Sequence, residues 1–549
     1  MTSKKRWILR WCILGVVFLT MGWLTIGIPN VFTSPDESAN AFFASVFSRT
    51  GSFSAQEPLE IIANNLIHPR SVIVSGTQIL PTGFLGFPFI AGVIRFLLGP
   101  FFEFSLTPII AITAICAFWW IIERLTKNET LADLTAFFTL IHPAFWYYSA
   151  RTMMPNVALV SLLLISVAVF IKAQSHRPIV LGTLAGLLFG LALSCRLVEA
   201  PIIFVTCAIV AISYRKSLAL RPLLAAIIGT LLILTSYLLI NTHVYGSPLT
   251  TGYTFQESPQ TSLAQGVTAD LSAEALAKAD RLQPSLSYLL PFGFHERSMV
   301  KNAFWYGWWL FPFSSTLAVV GAWFAWTSKE HRKAWRTFII ALSVATFWLL
   351  AVYGSWQIAD NPDPRAITIG NSHVRYWLPL FVASSVLGAY AVTKIQRDRI
   401  VMIIVIILSS INAVFAGTDG LIATRSALQT FEEKRTIILD KTPSDAVIIV
   451  DRADKYLFPS RAVIVPLRSD TTYAALPTLV ASVPLYYFGI TFPPTDLDYL
   501  RTQKLAPFGL GIDAIVTINE ETLYVIAPVA SNDHSSLDTH DQLPKIQIN

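Results

Sequence analysis

The stretch SPDESANAFFASVFSR, residues 34–49, follows directly on an apolar run over residues 11–33 that carries no charge. At about 1.5 Å rise per residue, such a run can cross a hydrocarbon core of roughly 30 Å. An adjacent carboxylate pair, Asp36 and Glu37, therefore lies where the chain leaves the membrane. Acidic side chains beside apolar spans are costly and need a reason. One reason is local: Ser34 suits an N-cap, Pro35 the first helical position, and Glu37 completes a Ser-x-x-Glu capping box. Ala39, Phe42, Phe43, Val46 and Phe47 then recur on one face of an amphipathic helix that stops near Gly51. A chemical reason has to come from the rest of the chain.

Composition sets the class. Of 549 residues, 54% are hydrophobic and 13% charged, against about a quarter charged in soluble proteins. This is a membrane composition. The net charge of +6 does not point to nucleic acid, because the basic residues sit in short clusters between apolar runs, as positive-inside topology requires. Cys12, Cys116, Cys195 and Cys207 all fall in apolar segments and show no zinc or disulfide spacing, so they read as small buried hydrophobes. The N-terminal run is long, lacks a small-residue cleavage site and precedes many more spans, so it reads as an uncleaved span.

Lys4, Lys5, Arg6 and Arg10 place the N-terminus in the cytoplasm, ahead of a first span over residues 11–31. Residues 34–80 are then an outer loop, expected to form juxtamembrane helices on the bilayer surface. Residues 84–101 are apolar but interrupted by glycines, Pro88 and Arg95, and charge parity reads them as re-entrant. Spans follow at 106–122, 131–148, 157–171, 179–193, 198–212, 223–240, 304–326, 338–354, 376–392 and 400–416, giving eleven, or twelve if residues 84–101 cross. A long outer loop, 243–302, carries an expected helix at 272–281. Fifteen tryptophans, many near span ends, fit interfacial belts. From residue 417 the pattern changes to short strands (445–450, 462–466, 485–490, 513–518, 522–526) alternating with helices near 421–439, 473–483 and 495–503. The expectation is a polytopic α-helical membrane domain over residues 1–416, an extracytoplasmic α/β domain over 417–530, and a disordered tail over 531–549.

That topology gathers unusual polar residues at the outer surface: Asp36 and Glu37, His68 and Arg70, Arg151 and Asn156, Arg196 and Glu199, His243, His373 and Arg375. Carboxylates with arginines at that depth suit removal of a group from a lipid phosphate. A carboxylate can take the proton of an acceptor hydroxyl, and arginines can hold the phosphate and stabilise the leaving group. Each has a plainer alternative. Arg151 and Arg375 can anchor helices at the interface. Arg196 and Glu199, three apart, can pair with each other. His68, His243 and His373 share no ligand spacing and read as loop residues. Asp360 and Asp363 read as solvated turn residues.

The acidic pair after the first span resembles the first outer loop of GT-C-type membrane glycosyltransferases, among them the protein O-mannosyltransferases and the lipid A aminoarabinose transferases. HPAFWYYSARTMMPN (142–156), YGSPLTTGY (245–253) and RYWLP (375–379) are similar to segments of the same class, and the resemblance covers roughly residues 1–400. It implies transfer of a sugar from a polyprenyl-phosphate carrier, with inversion, on the outer face of the plasma (inner) membrane, to a protein, lipid or glycan acceptor. In that reading Asp36 is the general base or acceptor-orienting carboxylate, Glu37 its neighbour in the motif, and Arg375, with Arg151 and Arg196, binds the donor phosphate. His68, Arg70, Asn156 and Tyr376 are further site candidates. Asn156 stands where the class often has an acidic residue. An amide coordinates a divalent ion more weakly than a carboxylate, which puts metal dependence in doubt.

Two rivals belong to other classes. A transporter or flippase for a lipid-linked sugar commonly has paired repeats and midplane charges; here no repeat is evident and the charges sit at span ends. A sensor would use the C-terminal domain to bind a ligand.

Overall fold

In the computed structural model of the chain, residues 3–24, 28, 30–255, 290, 292–356, 366–395, 399–467, 469–529 and 545–546 are described. The expected helix at 272–281, Asp360, Asp363 and the tail at 531–544 lie outside them. Among the described residues, seven helices are long and apolar enough to cross a membrane: Pro100–Thr126, Pro155–Ala173, Pro178–Cys195, Leu197–Tyr214, Leu220–Tyr245, Arg332–Gly354 and Ile400–Lys441. Arg10–Trp23, Gly86–Leu98 and Leu378–Lys394 are shorter apolar helices. The expected spans from residue 106 onward overlap helices or helix pairs, whereas in the first, 11–31, the helix ends at Trp23.

Two spans differ from a straight rod. Residues 131–148 form two helices, Glu129–Ile141 and Pro143–Ala150. Pro143 cannot donate a helical hydrogen bond and drives His142 into extended backbone, which breaks the run. Residues 304–326 are likewise not one straight helix: Glu296–Trp309 meets Pro312–Thr327 at 99°, with Pro312 opening the second helix. Gly86–Leu98, at 13 residues, is about 20 Å long and too short to cross alone. Small residues bring helices close. A Cβ on Gly186 would lie 2.0 Å from the Ala226 carbonyl oxygen, so Pro178–Cys195 and Leu220–Tyr245 pack backbone to backbone.

The segment over residues 34–80, expected as an outer loop, is not a set of surface helices. After Pro35–Thr50 it folds into a three-stranded antiparallel sheet of Ala55–Gln56, Gln78–Pro81 and Val72–Ser75, in that order, with one short helix, Glu60–Ala63. Gly76, at φ 60°, makes the tight turn between the last two strands. Val72, Ile73, Val74, Ile79 and Leu80 are buried against the bundle.

Beyond Leu421–Lys441 the chain builds a six-stranded sheet in the order Ala462–Ile464, Val447–Val450, Leu485–Ile490, Glu521–Pro528, Leu510–Ile518 and Lys545–Ile546. The first three strands are mutually parallel; Glu521–Pro528 runs antiparallel to both of its neighbours. Val447–Val450 is buried throughout, which fits its unbroken apolar sequence. This sheet packs on the first outer loop. Ala63, Leu66 and Ile67 share a core with Tyr473, Leu476 and Leu479, and Ile67 bridges to Ile464.

Candidate active site

The helix Pro35–Thr50 begins as its sequence dictates. Ser34 Oγ accepts from the Asp36 amide at 3.3 Å, and the Ser34–Glu37 capping box is formed. Thr33 N, Thr33 Oγ1 and Ser34 N donate to Glu37 Oε2 at 3.0, 3.2 and 3.3 Å. Arg151 closes on Glu37 Oε1 with Nε at 2.8 Å and Nη2 at 2.7 Å, and also donates to Thr33 Oγ1. Glu37 is thus committed to the cap and to one buried ion pair, with 4% of its side chain exposed.

Asp36 is 34% exposed and faces elsewhere. Ser71 Oγ donates to its Oδ1 at 2.6 Å, and Arg375 Nη1 lies 3.0 Å from Oδ2. Burial alone would raise the Asp36 carboxyl. The Arg375 guanidinium, the Ser71 hydroxyl and the charge of Arg196 outweigh it and hold the group below the ordinary carboxylate range. Its place in the first helical turn adds in the same direction. Asp36 is therefore an ionised, partly accessible carboxylate.

Arg375 sits on the short helix Ser372–Tyr376. Asn371 caps it, its Oδ1 accepting from the His373 amide at 3.0 Å. Tyr148 ties the segment down by donating to the Ile369 and Asn371 carbonyls at 2.9 and 3.0 Å. Asn156 Nδ2 donates to the Arg375 carbonyl at 3.1 Å, and Arg375 Nη2 donates to the Tyr376 hydroxyl at 3.3 Å. Arg196 pairs with Glu199 at 2.8 Å, as the i,i+3 spacing suggests, but also donates to Tyr353 Oη at 2.9 Å and lies 4.6 Å from the Tyr376 ring centroid. Tyr376 stacks on Tyr353 at 4.5 Å and on Trp356 at 5.8 Å. Asp36, Arg375, Arg196 and Tyr376 thus form one neighbourhood, fed by three separate parts of the chain.

The remaining candidates have other partners. Arg70 grips Asp454 of the C-terminal sheet region, with Nη2 2.7 Å from Oδ1 and Nε 3.0 Å from Oδ2. His68 Nδ1 lies 3.0 Å from the Pro69 carbonyl oxygen, and burial holds its imidazole below the ordinary value. His373 stacks on Tyr306 at 4.9 Å with its Nδ1 at 2.8 Å from Asn371 Oδ1. His243 is exposed at the end of Leu220–Tyr245. Sequence reasoning did not single out Ser71, Tyr353 or Tyr253. Tyr253 reaches the site because its loop closes on the outer sheet: Tyr245 Oη donates to the Pro81 carbonyl at 2.7 Å, and a Cβ on Gly252 would meet that carbonyl at 2.3 Å. Tyr253 lies within electrostatic reach of Asp36, Tyr376, Arg196 and Arg375. No cluster of three or more His, Cys, Asp or Glu that could hold a metal occurs among the described residues.

No family model and no curated protein sequence matches the chain. Among solved structures, ArnT from Cupriavidus metallidurans bound to undecaprenyl phosphate aligns with a TM-score of 0.52 at 12% identity, over 97% of this chain and 100% of ArnT. ArnT in the apo state aligns with the same score and identity over 96% and 99%. The Archaeoglobus fulgidus oligosaccharyltransferase, in complex with Zn and sulfate, aligns over 90% of this chain and 69% of its own, at a TM-score of 0.43 and 13% identity. At this identity the ArnT alignments establish a shared fold: the chain has the GT-C-type architecture of a polytopic membrane protein, with a C-terminal sheet domain.

Proposed function

We propose that this chain is an integral-membrane glycosyltransferase that moves a sugar from a polyprenyl-phosphate carrier to an acceptor at the outer face of the plasma (inner) membrane, with inversion. The observation that carries the proposal is the half-buried Asp36 carboxylate paired with Arg375 at 3.0 Å, at the end of a helical bundle. The fold shared with ArnT, a protein crystallised with undecaprenyl phosphate, supports the carrier class.

In this reading an acceptor hydroxyl attacks the anomeric carbon from the face opposite the phosphate. The new carbon–oxygen bond forms while the hydroxyl proton passes to Asp36. The bond from the anomeric carbon to the phosphate oxygen breaks, and the electron pair leaves with the polyprenyl phosphate. Arg375, backed by Arg196, offsets the charge that grows on that oxygen. Glu37 and Arg151 fix the helix that presents Asp36, and Asn156 fixes the backbone that presents Arg375. The donors present do not fit a divalent ion: Glu37 is bound to Arg151, Asp36 to Arg375, and Asn156 offers an amide. No step is therefore routed through a metal.

Lipid extracts from cells with and without the gene test this reading. A polyprenyl-phosphate sugar should accumulate without it and be consumed when the wild-type chain is restored. An Asp36→Asn variant that consumes the lipid at the wild-type rate would overturn the base assignment.

A further inference from the structure

We propose that Asp454 of the C-terminal domain, acting through Arg70 and Ser71, positions the Asp36 carboxylate, so that this domain is a working part of the transfer site. The inference rests on the reading of Asp36 as the base.

Asp454 is fully buried although it belongs to a domain outside the bundle. Its carboxylate is held by one residue of the first outer loop. The Arg70 amide donates to Oδ2 at 3.0 Å, Arg70 Nε to Oδ2 at 3.0 Å, and Arg70 Nη2 to Oδ1 at 2.7 Å. A two-pronged guanidinium grip plus a backbone amide leaves Arg70 little freedom to turn. The next residue, Ser71, has φ 62°, a left-handed conformation that non-glycine residues seldom adopt. The Arg70 amide fixes it on one side. On the other, its carbonyl accepts from Thr82 N at 3.2 Å where the outer sheet begins. The result is a hydroxyl 2.6 Å from Asp36 Oδ1.

The same short helix, Asp454–Leu457, also touches the other flank of Asp36. Lys455 Nζ lies 3.5 Å from the Thr33 carbonyl oxygen, just before the cap of the Asp36 helix. Phe458 packs edge-on against Phe42 of that helix at 4.6 Å. One turn of the C-terminal domain therefore grips both the segment that carries the carboxylate and the segment that carries its hydroxyl donor. The charged and titratable groups around Asp36 are Arg375 and Arg196, Tyr253, and, on its own helix, Glu37 with its partner Arg151 and Lys455 beyond. Against them the Ser71 hydroxyl aims one carboxylate oxygen and leaves the other to Arg375.

The test uses the full-length chain in membranes, with the polyprenyl-phosphate sugar extracted from cells lacking the gene as donor and undecaprenyl phosphate as binding probe. Ser71→Gly keeps the positive φ and removes the hydroxyl; Ser71→Asn tolerates the positive φ and keeps a side-chain donor; Asp454→Asn weakens the grip on Arg70. Ser71→Gly and Asp454→Asn should each lower kcat on the order of tenfold, with undecaprenyl phosphate affinity within about twofold of wild type. Both should move the acid limb of the pH–rate profile upward, because Asp36 loses a donor that favours its ionised form. Ser71→Asn should keep both nearer the wild type than Ser71→Gly does, and the double variant Ser71→Gly/Asp454→Asn should be no slower than the slower single one. Should Asp454→Asn fail to accumulate, Arg70→Lys replaces it, since lysine keeps the charge and loses the fork. An unmoved acid limb in Ser71→Gly, or losses that multiply in the double variant, would overturn the proposal. An Asp36→Asn protein with full turnover would instead remove the base reading beneath it.

Discussion

Arg375 Nη1 stands 3.0 Å from Asp36 Oδ2, so the proposed phosphate cation and the proposed base are partners before any donor arrives. A donor phosphate at Arg375 competes with Asp36 for the same guanidinium. Binding of the donor then weakens the interaction that holds the carboxylate low and makes it a better base when an acceptor is to be activated.

This competition has a kinetic signature. The acid limb of kcat/KM reports Asp36 with Arg375 to itself, and that of kcat reports it with the phosphate present. We expect the kcat limb at higher pH than the kcat/KM limb. Rates measured against pH at low and at saturating donor check this, and coincident limbs contradict it.

Asp36→Asn keeps the shape of the side chain and removes the proton acceptor. Transfer should fall by roughly 10²–10⁴-fold, the usual contribution of a positioned base. Thermal stability should change little, because a third of the side chain already meets solvent. Turnover and a melting curve on the same preparation separate the two effects.

Glu37 should behave in the opposite sense. Removing it leaves Arg151 charged in a buried setting with the helix cap undone. Breaking a buried pair on one side costs about 3–5 kcal/mol. Glu37→Ala should therefore lower the melting temperature and the amount of folded protein, and Glu37→Leu combined with Arg151→Met should recover part of the loss. Melting curves of the single and double variants test this.

A pH-dependent contribution to stability sits at the junction with the C-terminal domain. Glu60 is buried, with no side-chain partner for its carboxylate among the described residues. Burial first, then the charge of Glu57, push its carboxyl from 4.5 up to about 8, against partial relief from the backbone of Ile67, Asn65 and Leu66. Between those pH values the folded chain holds a proton that the unfolded chain has lost. Stability therefore falls as pH rises through the window. At about 1.4 kcal/mol per unit the effect is at most a few kcal/mol. Glu60→Gln should raise the melting temperature at pH 8 and flatten its dependence between pH 5 and 8.

The spans and the C-terminal strands were legible in the sequence because apolar length and turn residues report them directly. Asp36 was legible from its place at a span end. The outer sheet was not. Its strands have two to four residues, and Val72, Ile73 and Val74 are all buried, so no polar alternation marks them. The Ser75–Gly76–Thr77–Gln78 turn was a usable signal that the surface-helix reading passed over. Nor could any local pattern pair Arg70 with Asp454, which are 384 residues apart in the chain. Arg196 was half legible: its spacing gave Glu199, but Tyr353 and Tyr376 come from later helices.

Neighbouring side chains on a helix point about 100° apart. Because Ser34 and Pro35 fix where the second helix starts, that angle turns Asp36 toward Ser71 and Arg375 and Glu37 toward Arg151. The number of residues between the cap and the acidic pair is thus a phase setting. One residue inserted between Pro35 and Asp36 would swing both carboxylates about 100° round the axis, leaving charge, hydropathy and the acidic pair untouched. Substitution of Thr33 or Ser34, which hold that cap, should disturb the same phase.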